Sequence, residues 1–253
     1  MSEDLLSRLR RLKKRVERDR KQKRFRTYYD RFKEYAKLLE DAESTLKNGT
    51  LKRLEIGIPQ LSDEQMDNLI PKGMHDSTLD GYLSRIREHI DELILHIKKE
   101  TARRENRERS ASYLDAASKD LERANALTKQ RDWSGSVEAA QHCIEISVKS
   151  LYLLVGLDYP EQHDPAVDLK KVMNRLRGLR SYHNYLWMEI ARMRWICKMW
   201  EWIHTSSVYG CLDIPANKIF HEEDAKTAID YATDVNSKCR QILNLARLEQ
   251  IKL

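Results

Sequence analysis

The sequence predicts an all-α fold, in which coiled-coil-like long helices at the N-terminus precede an antiparallel helical bundle. One observation is the scarcity of helix-breaking residues, because the 253-residue chain has only 8 Gly and 5 Pro. Another is the spacing of apolar residues, which recur at intervals of three and four along much of the chain. The third is that 34% of the residues are charged, so apolar stripes alternate with polar faces.

The N-terminal region has two apolar seams separated by a charged stretch. The first seam comprises Leu5, Leu9, Leu12 and Val16. The second comprises Phe25, Tyr28, Phe32, Tyr35, Leu39, Ala42 and Leu46, at the alternating spacing of a coiled coil. Residues 17–24 (ERDRKQKR) contain no apolar residue, so they can be helical but cannot pack into a core. Gly49 is expected to end this region.

A less regular segment and another long helix follow. Residues 50–77 contain Gly57, Pro59, Pro71 and Gly73 and suggest only a short helix capped by Ser62. The long helix has its seam at Leu79, Tyr82, Ile86, Ile90, Leu93 and Ile97. Residues 98–110 (KKETARRENRERS) lack a seam and indicate an exposed helical connector. We therefore predict a basic helical region over 1–109 and a helical bundle over 110–253.

The second half contains the helices of the predicted bundle. Helices are expected at about 111–130, 166–178 and 184–204, and another is started by Ser134 or the turn around it, with an apolar face that runs from Trp133 to Val155. Gly156 should stop that helix, and Glu222 and Glu223 should begin the last one. The seam of the last helix comprises Ala225, Ala228, Ala232, Val235, Cys239, Ile242 and Ala246. So many small side chains predict a close approach of helices.

Composition argues against several classes of protein. No apolar run approaches the roughly 20 residues of a membrane span. The N-terminus is charged and lacks the apolar core of a signal peptide, so we expect a cytoplasmic protein without membrane contact. The four cysteines have no paired metal-ligand spacing and are expected to be free thiols. No phosphate-binding glycine loop is present, and no cofactor or metal is expected.

Positive charge is concentrated at the N-terminus. Residues 1–34 hold 14 Lys or Arg against 6 Asp or Glu, a net +8; because the whole chain is +6, the remainder carries −2. A segment of this kind is a solvated helix face, a membrane-surface helix or a contact for RNA or DNA, and we favour nucleic acid for residues 5–33. The candidate contacts are Arg8, Arg10, Arg11, Lys13, Lys14, Arg15, Arg18, Arg20, Lys21, Lys23, Arg24 and Arg26.

Residues 182–204 hold four of the five tryptophans. Leu186, Ile190, Met193, Cys197 and Trp200 form an inward stripe, which Trp187, Trp195 and Trp202 cannot all share. Exposed tryptophan indicates an interface, so we predict a protein partner or self-association through this segment and residues 135–156. With Arg192 and Arg194 nearby, Trp195 and Trp202 are also candidates for stacking on nucleic-acid bases.

The second half resembles the HEPN family (higher eukaryote and prokaryote nucleotide-binding domains) over roughly residues 111–250. The residues that carry the resemblance are Arg131, Trp133, Ala139, Ala140, Gln141, Glu145, Lys149, Leu151 and Gly156. His163 and residues 206–232, where a turn with Tyr209 and Pro215 leads into an Ala-rich helix, fit the same layout. The resemblance implies a helical bundle that often forms dimers.

The resemblance also gives one interpretation of the polar residues Gln141, Glu145 and Lys149. In HEPN-like bundles the second helix both fills the core and faces a cleft, so these side chains would be binding residues. The other interpretation, which we favour, is that they and His142 form the solvent-facing stripe of an amphipathic helix.

Many HEPN domains are ribonucleases, with an Arg followed after four to six residues by a His just before the final helix. The region before the final helix here contains His204 but no Arg at that spacing. Arg177 and His183 match the spacing earlier in the chain, as candidates for phosphate binding and proton transfer. We therefore expect little or no ribonuclease activity.

Three functions remain open. We favour a non-catalytic HEPN-like protein that binds RNA, nucleotide or nucleic acid with help from the basic helix, in a defence or toxin–antitoxin setting. One alternative is an adaptor subunit that uses its coiled coil and bundle for protein docking. The other is a metal-independent HEPN ribonuclease that uses Arg177 and His183.

Overall fold

A computed structural model describes residues 2–22, 28–46, 76–160 and 164–248, apart from a few side chains such as those of Trp202 and His204. The short helix predicted at Ser62, the seam residue Phe25 and His163 lie outside the described residues, as do Lys23, Arg24 and Arg26. The chain divides into two compact units, Met1–Thr101 and Ala102–Leu253.

The described residues are almost entirely helical, which confirms the all-α prediction. The helices are α1 (Ser2–Lys21), α2 (Tyr28–Leu46), α3 (Asp76–Lys129), α4 (Trp133–Leu154), α5 (Leu169–Arg175), α6 (Arg177–Tyr182), α7 (Asn184–Tyr209), α8 (Ala216–Ile219) and α9 (Glu222–Arg247). In this part of the chain β-structure is limited to one isolated bridge between Cys211 and Ile214. None of the described helices combines the length and apolar character needed to span a membrane.

The first unit buries its apolar seams between α1, α2 and the N-terminal part of α3. All four residues of the predicted α1 seam are buried. Tyr35 and Ala42 of the α2 seam are buried as well, although Leu38 is more deeply buried than the predicted Leu39. In α3 the buried residues are Leu83, Ile86, Ile90, Leu93 and Ile97, with Tyr82 only partly buried. The seam residues of the three helices thus form one buried apolar cluster.

The second unit is an antiparallel bundle built from the C-terminal part of α3 with α4, α7 and α9. Asp120 contacts His142 and Thr128 contacts Ser136, so α3 and α4 run in opposite directions. Arg192 contacts Asp234, while Lys238 lies over the Tyr185 ring, so α7 and α9 are also antiparallel.

Helices α4 and α9 run in the same direction and pack closely through small side chains. Ala139 and Ala140 of α4 and Ala228 and Ala232 of α9 are all buried. The Cys143 thiol lies 3.9 Å from the Ala232 carbonyl oxygen, so little side chain separates the two backbones. The predicted close approach of the Ala-rich helix is confirmed.

The ends of α4 are set by local chemistry. Asp132, which lies in the turn around Ser134 where the start was predicted, caps the N-terminus, and its carboxylate accepts a hydrogen bond of 3.0 Å from the Gly135 N–H. The preceding Arg131 has a positive φ of 62° that makes the tight turn out of α3. Gly156, with φ of 69°, follows the end of α4 and terminates the helix as predicted. α9 begins at Glu222, also as predicted.

Candidate nucleic-acid interface

The predicted basic contacts of α1 fall into two structural groups according to their position beside the buried seam. Four of them lie next to the seam and form ion pairs with neighbouring helices. Arg8 pairs with Asp41 at 2.8 Å and Arg15 pairs with Glu34, both on α2. On the other flank, Lys13 pairs with Asp91 at 2.7 Å and Arg20 pairs with Asp80 at 2.6 Å, both on α3.

These pairs occupy the positions that flank the apolar seam of α1; in coiled coils, charges at such positions set the choice and direction of partner helices. The order of the pairs makes α1 antiparallel to both α2 and α3. The Arg20 guanidinium hydrogen-bonds Asp80 through two nitrogens, which lowers the pKa of Asp80 and raises that of Arg20. The four cations thus have a structural role that the sequence prediction did not include.

The other predicted cations lie on the outer face of α1, which we define as Arg10, Arg11, Lys14, Arg18 and Lys21. All five side chains are exposed. Among the described residues none of the five has an acidic partner, in contrast to Arg8, Lys13, Arg15 and Arg20. Arg10, Lys14, Arg18 and Lys21 follow one another at four, four and three residues, so they form a row about 16 Å long at 1.5 Å per residue.

Gln141, Glu145 and Lys149 are buried, and the interpretation of these residues as a solvent-facing stripe is wrong. Their exposed fractions are 3%, 6% and 8%. α4 is the central helix of its bundle and is covered on nearly all sides, so an i, i+4, i+8 row has no solvent to face. Only His142 of the predicted stripe is exposed, and it contacts Asp120 at 2.8 Å.

The buried row on α4 is held by a specific set of polar contacts. The Lys149 ammonium donates to Glu145 at 2.6 Å and lies 5.2 Å from the centre of the Tyr159 ring. The Tyr159 hydroxyl is in turn 2.6 Å from that of Tyr113 on α3, and this hydrogen bond raises the pKa of Tyr113. The Lys149–Glu145 pair and the two tyrosines therefore connect α3, α4 and the loop that follows α4.

The bundle offers no activated thiol among its buried cysteines. Burial raises the pKa of Cys143 and of Cys197 to about 12, and it raises the pKa of Cys239 well above its usual value. These three thiols are protonated at neutral pH and are shielded from substrates. The described residues also contain no cluster of three or more side chains suited to hold a metal ion.

Arg177 and His183 stand at the two ends of the short helix α6. Arg177 is exposed and His183 is half-buried, and no hydrogen bond joins them among the contacts of the described residues. His221 was not among the predicted site residues; it directly precedes α9, and its backbone N–H donates to the Asp224 carboxylate at 2.8 Å. Residues 214–216, which would supply the Arg of a pair with His221, are Ile, Pro and Ala.

The aromatic residues of α7 lie on different faces of the helix, as the sequence predicts, because the buried stripe cannot hold all the tryptophans. The predicted inward stripe of Leu186, Ile190, Met193, Cys197 and Trp200 is buried. Trp195 is 79% exposed, whereas Trp187 is partly buried beneath the Arg180 guanidinium. The Trp202 side chain lies outside the described residues.

The exposed face of α7 combines apolar and basic side chains. Tyr185, Met188 and Met199 are exposed with Trp195, and their spacing places them along one side of the helix. Arg194 and Lys198 line a surface cavity of about 290 Å³ together with Trp195. Lys198 of this cavity contacts Asp164 at 2.5 Å. The neighbouring Arg192 also has acidic partners, Glu189 at 3.0 Å and Asp234 at 2.9 Å.

Comparison with known proteins agrees with the bundle topology. The family model of the HEPN domain matches residues 110–242, just over half of the 253-residue chain. Neither a curated protein nor a solved structure gives a significant match. From the matched residues and the four-helix antiparallel arrangement that they form, we conclude that the chain belongs to the HEPN domain family.

Proposed function

We propose that this protein is a non-catalytic HEPN-family binding protein that engages RNA or another nucleic acid through the outer face of α1. The observation that carries the proposal is the division of the α1 cations. Neighbouring carboxylates already balance Arg8, Lys13, Arg15 and Arg20, whereas Arg10, Lys14, Arg18 and Lys21 form an exposed row. A helix face that is merely exposed to solvent does not need a row of cations without acidic partners to be soluble.

A row of exposed cations suits a polyanion for a thermodynamic reason. Each phosphate that is neutralised releases condensed counterions, which gives affinity without base-specific contacts. The row is about 16 Å long, which at 3.4 Å per phosphate along one strand of duplex DNA faces about five phosphates. We therefore expect binding with little sequence preference.

The proposal is tested with a variant that removes the row and a control that removes the same charge elsewhere. The row variant carries Arg10→Gln, Lys14→Gln, Arg18→Gln and Lys21→Gln. The control carries Lys119→Gln, Lys129→Gln, Lys170→Gln and Arg175→Gln, four exposed cations of the second unit. Both substitutions lower the net charge from +6 to +2.

Fluorescence anisotropy with a single-stranded RNA and with a duplex DNA at 100 mM salt measures the outcome. The row variant should bind at least tenfold more weakly than the wild type, and the control within about threefold, because each lost phosphate contact removes its share of counterion release. Equal losses in the two variants would mean that only net charge matters, and the proposal would then be wrong.

A second candidate function, docking of a protein partner, is favoured by the exposed face of α7. A tryptophan that is 79% exposed next to exposed Met188 and Met199 is unusual for a free surface. Residues 135–156, the other half of the predicted docking surface, are mostly buried within the bundle. The α7 face is therefore the surface to test, by sedimentation of the full chain with and without Trp195→Ala.

We do not assign catalysis to Arg177 and His183. Phosphoryl transfer needs the proton-transfer group and the phosphate-binding group to meet at one reacting centre. Among the described residues no hydrogen bond joins Arg177 and His183, and the two precede α7 instead of the final helix.

A further inference from the structure

A groove on the first unit collects cations from two helices. Between α1 and α2 lies a cavity of about 290 Å³ lined by Arg8, Arg11, Arg15, Glu34, Lys37 and Leu38. Four of these six residues are basic and one is acidic. The volume is close to the lower limit of small-ligand sites, which begins at about 300 Å³.

The two ion pairs of the groove bracket two cations that have no acidic partner. Arg8 pairs with Asp41 and Arg15 with Glu34, so the antiparallel register places Arg11 and Lys37 between these pairs. Within the described part of the chain, the side chains of Arg11 and Lys37 take part in no ion pair or hydrogen bond. Like charges facing each other between two helices are unfavourable, and an anion between them would reverse that effect.

The groove also holds a buried donor that the protein does not satisfy. Arg15 Nε is shielded from solvent and has no hydrogen-bond partner among the described residues, although the same guanidinium pairs with Glu34 through another nitrogen. Buried donors in native structures are rarely left without an acceptor. A guanidinium has donors on several edges and can hold Glu34 and a second oxyanion at the same time.

We propose that this groove is a phosphate-binding pocket, in which Arg11 and Lys37 contact the phosphate oxygens and Arg15 donates from a nitrogen that does not contact Glu34. Phosphate fits the donors because its oxygens can accept from a guanidinium and an ammonium together. The phosphate belongs either to a small nucleotide or to a nucleic-acid strand. The pocket does not require the Arg10–Lys21 row, so the two proposals can fail separately.

The test compares Arg11→Gln/Lys37→Gln with the control Arg85→Gln/Lys98→Gln, which removes two exposed cations of the same unit outside the groove. The probes are inorganic phosphate, AMP, and one short oligoribonucleotide made with and without a 5′-phosphate. Calorimetric titration of the full chain at constant ionic strength gives each Kd. Because Arg11 and Lys37 are exposed and have no partners, their replacement should leave the unfolding midpoint unchanged.

The groove variant should bind AMP or the 5′-phosphorylated oligonucleotide at least tenfold more weakly than the wild type, while the control binds normally. Tighter binding of AMP than of inorganic phosphate identifies a small-nucleotide source, whereas a strong preference for the phosphorylated oligonucleotide over AMP identifies a strand. The proposal is overturned if no probe binds the wild type, or if the groove variant and the control bind alike. The row variant separates the two proposals, because it should lose RNA affinity while it keeps affinity for AMP.

Discussion

Replacing Lys149 by Met should strongly destabilise the second unit. The change removes the ammonium that donates to the Glu145 carboxylate at 2.6 Å, and Glu145 is only 6% exposed. Breaking one partner of a buried ion pair costs about 3–5 kcal/mol. Since 1 kcal/mol shifts the melting temperature of a 150–250-residue unit by about 2–4 °C, the expected decrease is about 6–20 °C.

The unfolding can be followed for this unit alone, because every tryptophan of the chain lies in it. These residues are Trp133, Trp187, Trp195, Trp200 and Trp202. Denaturant titration monitored by tryptophan fluorescence therefore reports the free energy of unfolding of the bundle. A matched control is Lys171→Met, since Lys171 pairs with Asp168 at 2.8 Å but is 65% exposed.

The control should change the free energy of unfolding by less than about 1 kcal/mol, as exposed pairs do. Adding Glu145→Gln to Lys149→Met should recover part of the loss, because the buried negative charge that Lys149 balances in the wild type is then removed. If Lys149→Met costs no more than Lys171→Met, Glu145 and Lys149 are not a buried pair in solution, and the description of α4 as a fully covered helix is wrong.

Four further outcomes follow from the structure. Thiol labelling of the native protein at pH 8 should modify Cys211 alone among the four cysteines, because it is the exposed one, and all four should react in denaturant. Asp132→Ala should destabilise the second unit by about 0.5–2 kcal/mol in the same fluorescence titration, through loss of the α4 cap. Trp195→Ala should lower any self-association seen by sedimentation without lowering the melting temperature, since the side chain is exposed. Incubation with labelled RNA should show no cleavage above background, and His183→Ala should leave that result unchanged.

The local features of the fold could be predicted from sequence because they depend on short spacings. The seams of α1 and α7 and the Ala-rich face of α9 are set by helical periodicity, and the structure buries them as expected. The start of α4 could be predicted only to within one turn, because Asp132 and Ser134 are equally good capping residues and lie in the same turn.

The buried row on α4 could not be predicted, since periodicity alone does not say what covers a face. Gln141, Glu145 and Lys149 have the spacing of a solvent stripe, and only the tertiary arrangement with Tyr159 and Tyr113 shows otherwise. The division of the α1 cations into paired and exposed groups, by contrast, could have been predicted, because it follows from the position of the apolar seam. Once Leu9, Leu12 and Val16 define the seam, residues 8, 13, 15 and 20 are the positions that flank it, and they could have been set apart from the outer face.

The dependence of nucleic-acid affinity on salt tests the central claim most directly. Between 50 and 300 mM salt, four phosphate contacts give a log–log slope of about −2.8 on a single strand and about −3.6 on duplex DNA. We predict that the wild type and the control with Lys119, Lys129, Lys170 and Arg175 replaced show slopes of this size, and that the variant lacking Arg10, Lys14, Arg18 and Lys21 loses most of the slope together with its affinity. An unchanged slope in that variant would contradict the assignment of the α1 outer face as the nucleic-acid contact.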